Sequence, residues 1–125
     1  MSDLIFVYGA LRKTASHEAR MKDAEFVSHA EVEGKLLKID WYPGLVLGPG
    51  TRVKGEVYRV SPELLAELDS FEGIDSATGE SSGEYHRIKR VILVNDEPQE
   101  VWIYEWLKGT KGYLAIKSGD WLAQD

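Results

Sequence analysis

The stretch Leu4-Ile5-Phe6-Val7-Tyr8-Gly9-Ala10-Leu11 decides the fold. Leu4 to Tyr8 is an unbroken run of large apolar or aromatic side chains, the pattern of a strand covered on both faces. The run then meets Gly9, where the missing Cβ lets the chain bend or a neighbour come close. A buried strand that stops at a glycine turn leaves backbone N–H groups beyond its end. Such groups hold carboxylates or phosphates when the turn forms a nest. Alone, the stretch reads as a first core strand with a tight turn. A second signal, further along the chain, adds to it.

The 125 residues are expected to form one domain, residues 1–125, long enough to bury a sizeable core. A hydrophobic fraction of 43% beside a charged fraction of 29% places the chain among soluble globular proteins. The net charge of -6 argues against a nucleic-acid partner. Cysteine is absent, which excludes disulfides and thiolate chemistry. His17, His29 and His86 lack metal-ligand spacing, so no metal is expected. No apolar run approaches the ~20 residues of a membrane span. Met1-Ser2-Asp3 lacks the features of a signal peptide, and the expected location is cytoplasmic. The sequence identifies no protein partner.

Arg12 to Lys22 reads as a loop with two helical turns, Ser16 standing as a cap. From Phe26 to Val60 the texture is β. Strands are expected over Phe26–Val32, Gly34–Ile39, Leu45–Leu47 and Val53–Val60, with turns at Tyr42-Pro43-Gly44 and Gly48-Pro49-Gly50. Closely spaced strands with glycines at bends suggest a small curled sheet or barrel. Ser61-Pro62-Glu63 opens a helix: Ser61 suits the N-cap, Pro62 the first helical position, Glu63 the positive dipole end. The helix runs through Leu64, Leu65, Leu68 and Phe71 to Gly73. Ile74 to Glu84 reads as a surface loop. Tyr85–Val94 and Gln99–Trp106 form a hairpin around Asn95-Asp96-Glu97-Pro98. Trp121 is large enough to dock the C-terminal segment. Trp41, Trp102, Trp106 and Trp121 are read as packing residues.

Helix residues are ~100° apart. With Leu68 at the centre of the apolar stripe, Glu72 falls between Leu68 and Leu65, and Asp69 at the stripe's edge. An inward carboxylate is disfavoured as an anion, and the helix C-terminus repels its charge. Both effects raise its pKa, which suits general acid–base work. Helix geometry leaves a second reading open, in which Glu72 turns away at the fraying end and pairs with Arg87 or another surface base.

Taken together, these residues resemble the γ-glutamylcyclotransferase-like family, which includes γ-glutamylamine cyclotransferases and AIG2-like proteins. Tyr8-Gly9-Ala10-Leu11 stands where the family has Tyr-Gly-Ser-Leu or Tyr-Gly-Thr-Leu. Leu68-Asp69-Ser70-Phe71-Glu72-Gly73 stands where it has Leu-Asp, two variable residues, Glu and commonly Gly. Tyr85-His86-Arg87 matches a Tyr-x-Arg signature, and Trp102-Ile103-Tyr104 the aromatic strand that follows. The resemblance implies an α+β fold, a small mixed β-barrel with a few helices packed outside. It implies that Tyr8, Gly9, Ala10 and Leu11 form the binding turn and that Glu72 is catalytic. Tyr85 and Tyr104 would line the cavity, with Arg87 nearby as support.

The implied reaction converts a γ-glutamyl amine or dipeptide into 5-oxoproline plus a free amine or amino acid. It calls for no cofactor. Ala10 departs from the family's Ser or Thr and removes one hydroxyl. That departure motivates an alternative, a non-catalytic protein binding a small carboxylate or amino acid in the same cavity. An interaction protein using the acidic loop and aromatic tail ranks third.

Overall fold

The fold was obtained as a computed structural model that describes residues 3–9, 11–12, 18–75 and 83–123. Ala10, Ser16, His17 and most of the expected loop Ile74–Glu84 lie outside the described residues.

Seven strands form one curled, mixed sheet: β1 (Asp3–Val7), β2 (Glu25–Lys38), β3 (Pro43–Leu47), β4 (Thr51–Val60), β5 (Tyr85–Val94), β6 (Glu97–Trp106) and β7 (Leu114–Ala115). The order is β3-β2-β4-β1-β6-β5, with β7 paired to β2. All pairs are antiparallel except β1 with β6, which meet in parallel at Ile5 and Trp102. The described residues contain one α-helix, α1 (Pro62–Phe71), and two short 3-10 turns, Glu18–Met21 and Trp121–Ala123.

β1 lies inside the sheet and is covered on both faces, as its apolar run predicts. Ile5 and Val7 pack with Leu64, Leu65 and Leu68 of α1. Phe6 points the other way, into a cluster with Val32, Leu45, Val53, Val57, Val101 and Ile103. Strand residues alternate faces, so one strand serves both clusters. Trp121 joins the second cluster and docks the C-terminal segment, as expected. The two limbs of the sheet meet where the Leu47 N–H on β3 donates to Glu105 Oε2 on β6 at 2.9 Å.

α1 begins and ends as its sequence dictates. Ser61 has an extended backbone, and its side chain accepts from the Leu64 N–H at 3.1 Å. Gly73 follows the helix in the left-handed region, φ 77°. The expected hairpin also forms, but its turn is tighter: Glu97 and Pro98, expected in the turn, open β6 and pair with Val94 and Leu93. Asn95 and Asp96 both take positive φ at its turn.

Two strands expected over Phe26–Val32 and Gly34–Ile39 are one, β2, with an irregularity between Phe26 and Ser28. Gly34, expected to open the second of them, lies within the strand and pairs with both Leu47 and Thr51. A Cβ there would stand 2.5 Å from the Val46 carbonyl oxygen. Gly34 therefore permits close backbone approach within a continuous strand. Pro43 and Gly44, expected in a turn, open β3 instead.

Candidate active site

The elements above converge on a cavity of about 260 Å³. β1 ends there with Tyr8, followed by Gly9 and Leu11. α1 ends there with Ser70, Phe71 and Glu72. Tyr85 and Tyr104 reach it from the hairpin, and Trp41, Tyr42 and Pro43 from the approach to β3. The glycine turn and the helix-end carboxylate thus share one hollow.

Gly9 is required by packing. A Cβ there would lie 2.4 Å from Pro43 Cγ. The Arg12 main-chain N–H donates to the Gly9 carbonyl at 2.9 Å and closes the turn.

Glu72 is the C-cap of α1, with φ -87° and ψ 3°. It is partly buried and has a pKa raised to about 7. Burial is the main cause, and the negative charges of Glu84 and Asp69 add to it. The positive charge of Arg20 opposes them. A carboxyl so tuned exchanges protons readily near neutrality.

Three tyrosines fix the walls. Tyr8 OH donates to the Tyr104 carbonyl at 2.6 Å, Tyr85 OH to the Pro43 carbonyl at 2.5 Å, and Tyr104 OH to Asp69 Oδ1 at 2.7 Å. All three titrate well above their usual range, chiefly because burial disfavours the phenolate, and the nearby Glu72 charge adds to it. They remain neutral donors at physiological pH.

Arg87 does not line the cavity. Its Nε stands 3.1 Å from Asp69 Oδ1, and its guanidinium lies 4.1 Å from the Trp102 ring centroid. The alternative pairing of Arg87 with Glu72 is replaced by a pairing with Asp69 one helical turn earlier. Asp69, read at the edge of the apolar stripe, is fully buried, and Glu72, read inside it, is the less buried of the two. The helical wheel aims Glu72 inward, and Glu72 does line the cavity, although the helix has already ended there. The wheel understates Asp69 because Tyr104 and Arg87 both meet this carboxylate.

Glu84 and Trp41 are among the cavity residues that escaped the sequence reading. Glu84 accepts from Tyr42 OH at 3.1 Å and presents a second carboxylate at the cavity. No local pattern marks it. Trp41, expected to pack, is 51% exposed at the cavity's edge. Among the described residues, no group of three or more His, Cys, Asp or Glu side chains could hold a metal ion. No described helix is long and apolar enough to cross a membrane.

Comparison with known proteins agrees with this architecture. Residues 5–123 match the family described as γ-glutamyl cyclotransferase, AIG2-like. The γ-glutamylcyclotransferase family protein YtfP of Escherichia coli (strain K12) is 35% identical over 122 residues, 97% of each chain. The solution structure of E. coli YtfP superposes with a TM-score of 0.66 at 32% identity, covering 95% of this chain and 96% of that one. The crystal structure of protein PH0828 from Pyrococcus horikoshii superposes with a TM-score of 0.71 at 29% identity, covering 95% and 89%. With a matched family spanning nearly the whole sequence, and the same fold in its relatives, the chain belongs to the γ-glutamyl cyclotransferase, AIG2-like family.

Proposed function

We propose that this protein cyclises a γ-glutamyl amine or dipeptide to 5-oxoproline, releasing an amine or amino acid, with Glu72 as the proton carrier. The observation that carries the reading is a carboxyl of pKa about 7 on the same cavity as the Gly9 turn.

The substrate's α-amine attacks its own γ-carbonyl carbon. A C–N bond forms, the ring closes, and the original amide C–N bond breaks. The attacking nitrogen enters as an ammonium and must lose protons, while the leaving nitrogen must gain them. Glu72 accepts from the first and donates to the second, returning to its starting state. Main-chain N–H groups of Gly9 to Leu11 are assigned to the γ-glutamyl part of the substrate, as carboxylate holders or as oxyanion donors. Tyr8, Tyr85 and Tyr104 shape the walls, and Arg87 supports Tyr104 through Asp69. Ring closure within one bound molecule needs mainly orientation and a proton shuttle.

Incubation with a panel of γ-glutamyl amines and dipeptides should release 5-oxoproline, and Glu72→Gln should abolish it. Turnover retained in that variant would remove Glu72 from the mechanism. A second reading, binding without chemistry, is favoured by Ala10 in place of Ser or Thr. It predicts thermal stabilisation by the same panel with no product.

A further inference from the structure

The turn that begins at Gly9 is held from outside the cavity. Arg12, whose N–H closes that turn, is itself buried and does not line the hollow. Its Nε donates to Glu56 Oε2 at 3.2 Å. Its Nη1 donates to Asp120 Oδ1 at 2.7 Å and to the Lys54 carbonyl at 3.5 Å. Glu56 is 2% exposed, stands opposite Val7 in the β1–β4 pairing, and accepts from Tyr58 OH at 2.9 Å through its other oxygen. Asp120 comes from the C-terminal segment. That segment is tied to β4 by the Lys54 N–H, which donates to the Gly119 carbonyl at 2.8 Å.

A buried ion pair contributes little net stability, because desolvation offsets the attraction. What it supplies is direction. A guanidinium is a rigid planar fork, so two carboxylates gripping different nitrogens determine where the side chain lies. The Arg12 main chain, and with it the turn, follows.

We propose that Arg12, locked between Glu56 and Asp120, is a positioning residue that holds the Gly9–Arg12 turn in the conformation receiving the γ-glutamyl part of the substrate. This rests on the cyclotransferase reading above. It makes the C-terminal segment a working part of a site that Asp120 does not line.

Asp120→Asn and Arg12→Lys test it in the full chain. Asp120 is partly exposed and asparagine keeps its shape and an acceptor oxygen, so Asp120→Asn is expected to fold. Both variants should raise KM for whichever γ-glutamyl compound the wild type turns over by roughly 10-fold, with kcat reduced less than about 3-fold. The acid limb of the pH profile should stay in place. The amide resonances of Gly9 and Leu11 should shift while that of Leu65 in α1 does not. Asp120→Glu should recover part of the KM.

Wild-type KM with unmoved Gly9 and Leu11 resonances would overturn the proposal. So would equal losses in kcat and KM with shifts spread through α1, which mark general loosening. If the wild type makes no 5-oxoproline, the cyclotransferase reading fails. The amide shifts then decide independently whether Arg12 holds the turn.

Discussion

The Tyr104 hydroxyl donates to Asp69 Oδ1 at 2.7 Å, and the same oxygen stands 3.1 Å from Arg87 Nε. One fully buried carboxylate on α1 thus organises two groups of the β5–β6 hairpin, and it lies one helical turn before Glu72. Asp69→Ala would leave Arg87 without its carboxylate and Tyr104 without its acceptor. We expect a loss of about 3–5 kcal/mol of stability, as when one partner of a buried pair is removed. Denaturant unfolding of the variant measures it. Tyr104→Phe removes only the neutral hydroxyl and should cost about 1–2 kcal/mol.

Glu84 gives a pH prediction. Its charge helps raise the Glu72 pKa, whereas Arg20 lowers it. If deprotonated Glu72 accepts the ammonium proton, kcat/KM should rise with pH through about 7. Glu84→Gln should move that limb to lower pH, and Arg20→Gln should move it to higher pH. A pH–rate profile of the three proteins checks both signs. Coincident limbs would separate Glu72 from the titration.

Glu72 also bears on stability. Its folded pKa is raised from 4.5 to about 7, so the folded state holds a proton that the unfolded chain has released. Stability therefore falls as pH rises between about 4.5 and about 7, and the penalty is constant above that window. Glu72→Gln removes the penalty. It should be more stable than the wild type by on the order of 2 kcal/mol at pH 8. The two should converge at pH 4. Melting curves at both pH values measure the difference.

Gly9→Ala tests the turn. The added methyl group meets Pro43 Cγ at 2.4 Å, so either the Pro43 segment or the turn must move. Overpacking of this kind costs about 1–3 kcal/mol. Because Pro43 also accepts from Tyr85, the displacement should reach the cavity wall and weaken ligand binding. Calorimetric titration with 5-oxoproline beside a thermal melt separates the two effects. Unchanged affinity in a destabilised variant would place the turn outside the binding site.

Signals carried by neighbouring residues were legible before any coordinates. Ser61-Pro62 sets the start of α1 because capping needs only side-chain and main-chain groups a few residues apart. Asn95-Asp96 sets the hairpin because its backbone handedness is local. The apolar run of β1 announces burial on both faces, and Glu72 after an apolar stripe announces a carboxyl near the interior. Gly34 reads from the sequence as the start of a new strand, whereas β2 runs through it. A glycine that opens a strand and a glycine that admits a neighbouring backbone in mid-strand look the same until the neighbour is placed.

Groups brought together across the chain were decided by the tertiary structure alone. The burial of Asp69 depends on Tyr104 and Arg87 arriving from the hairpin. The grip on Arg12 joins β4 to Asp120, which stands 108 residues from Arg12 along the chain. The exposure of Trp41 follows from where the curled sheet leaves an opening. Periodicity and capping express interactions within a turn or two of backbone. A carboxylate's partners, and hence its charge state, depend on which surfaces meet when the sheet closes, and no local pattern encodes that.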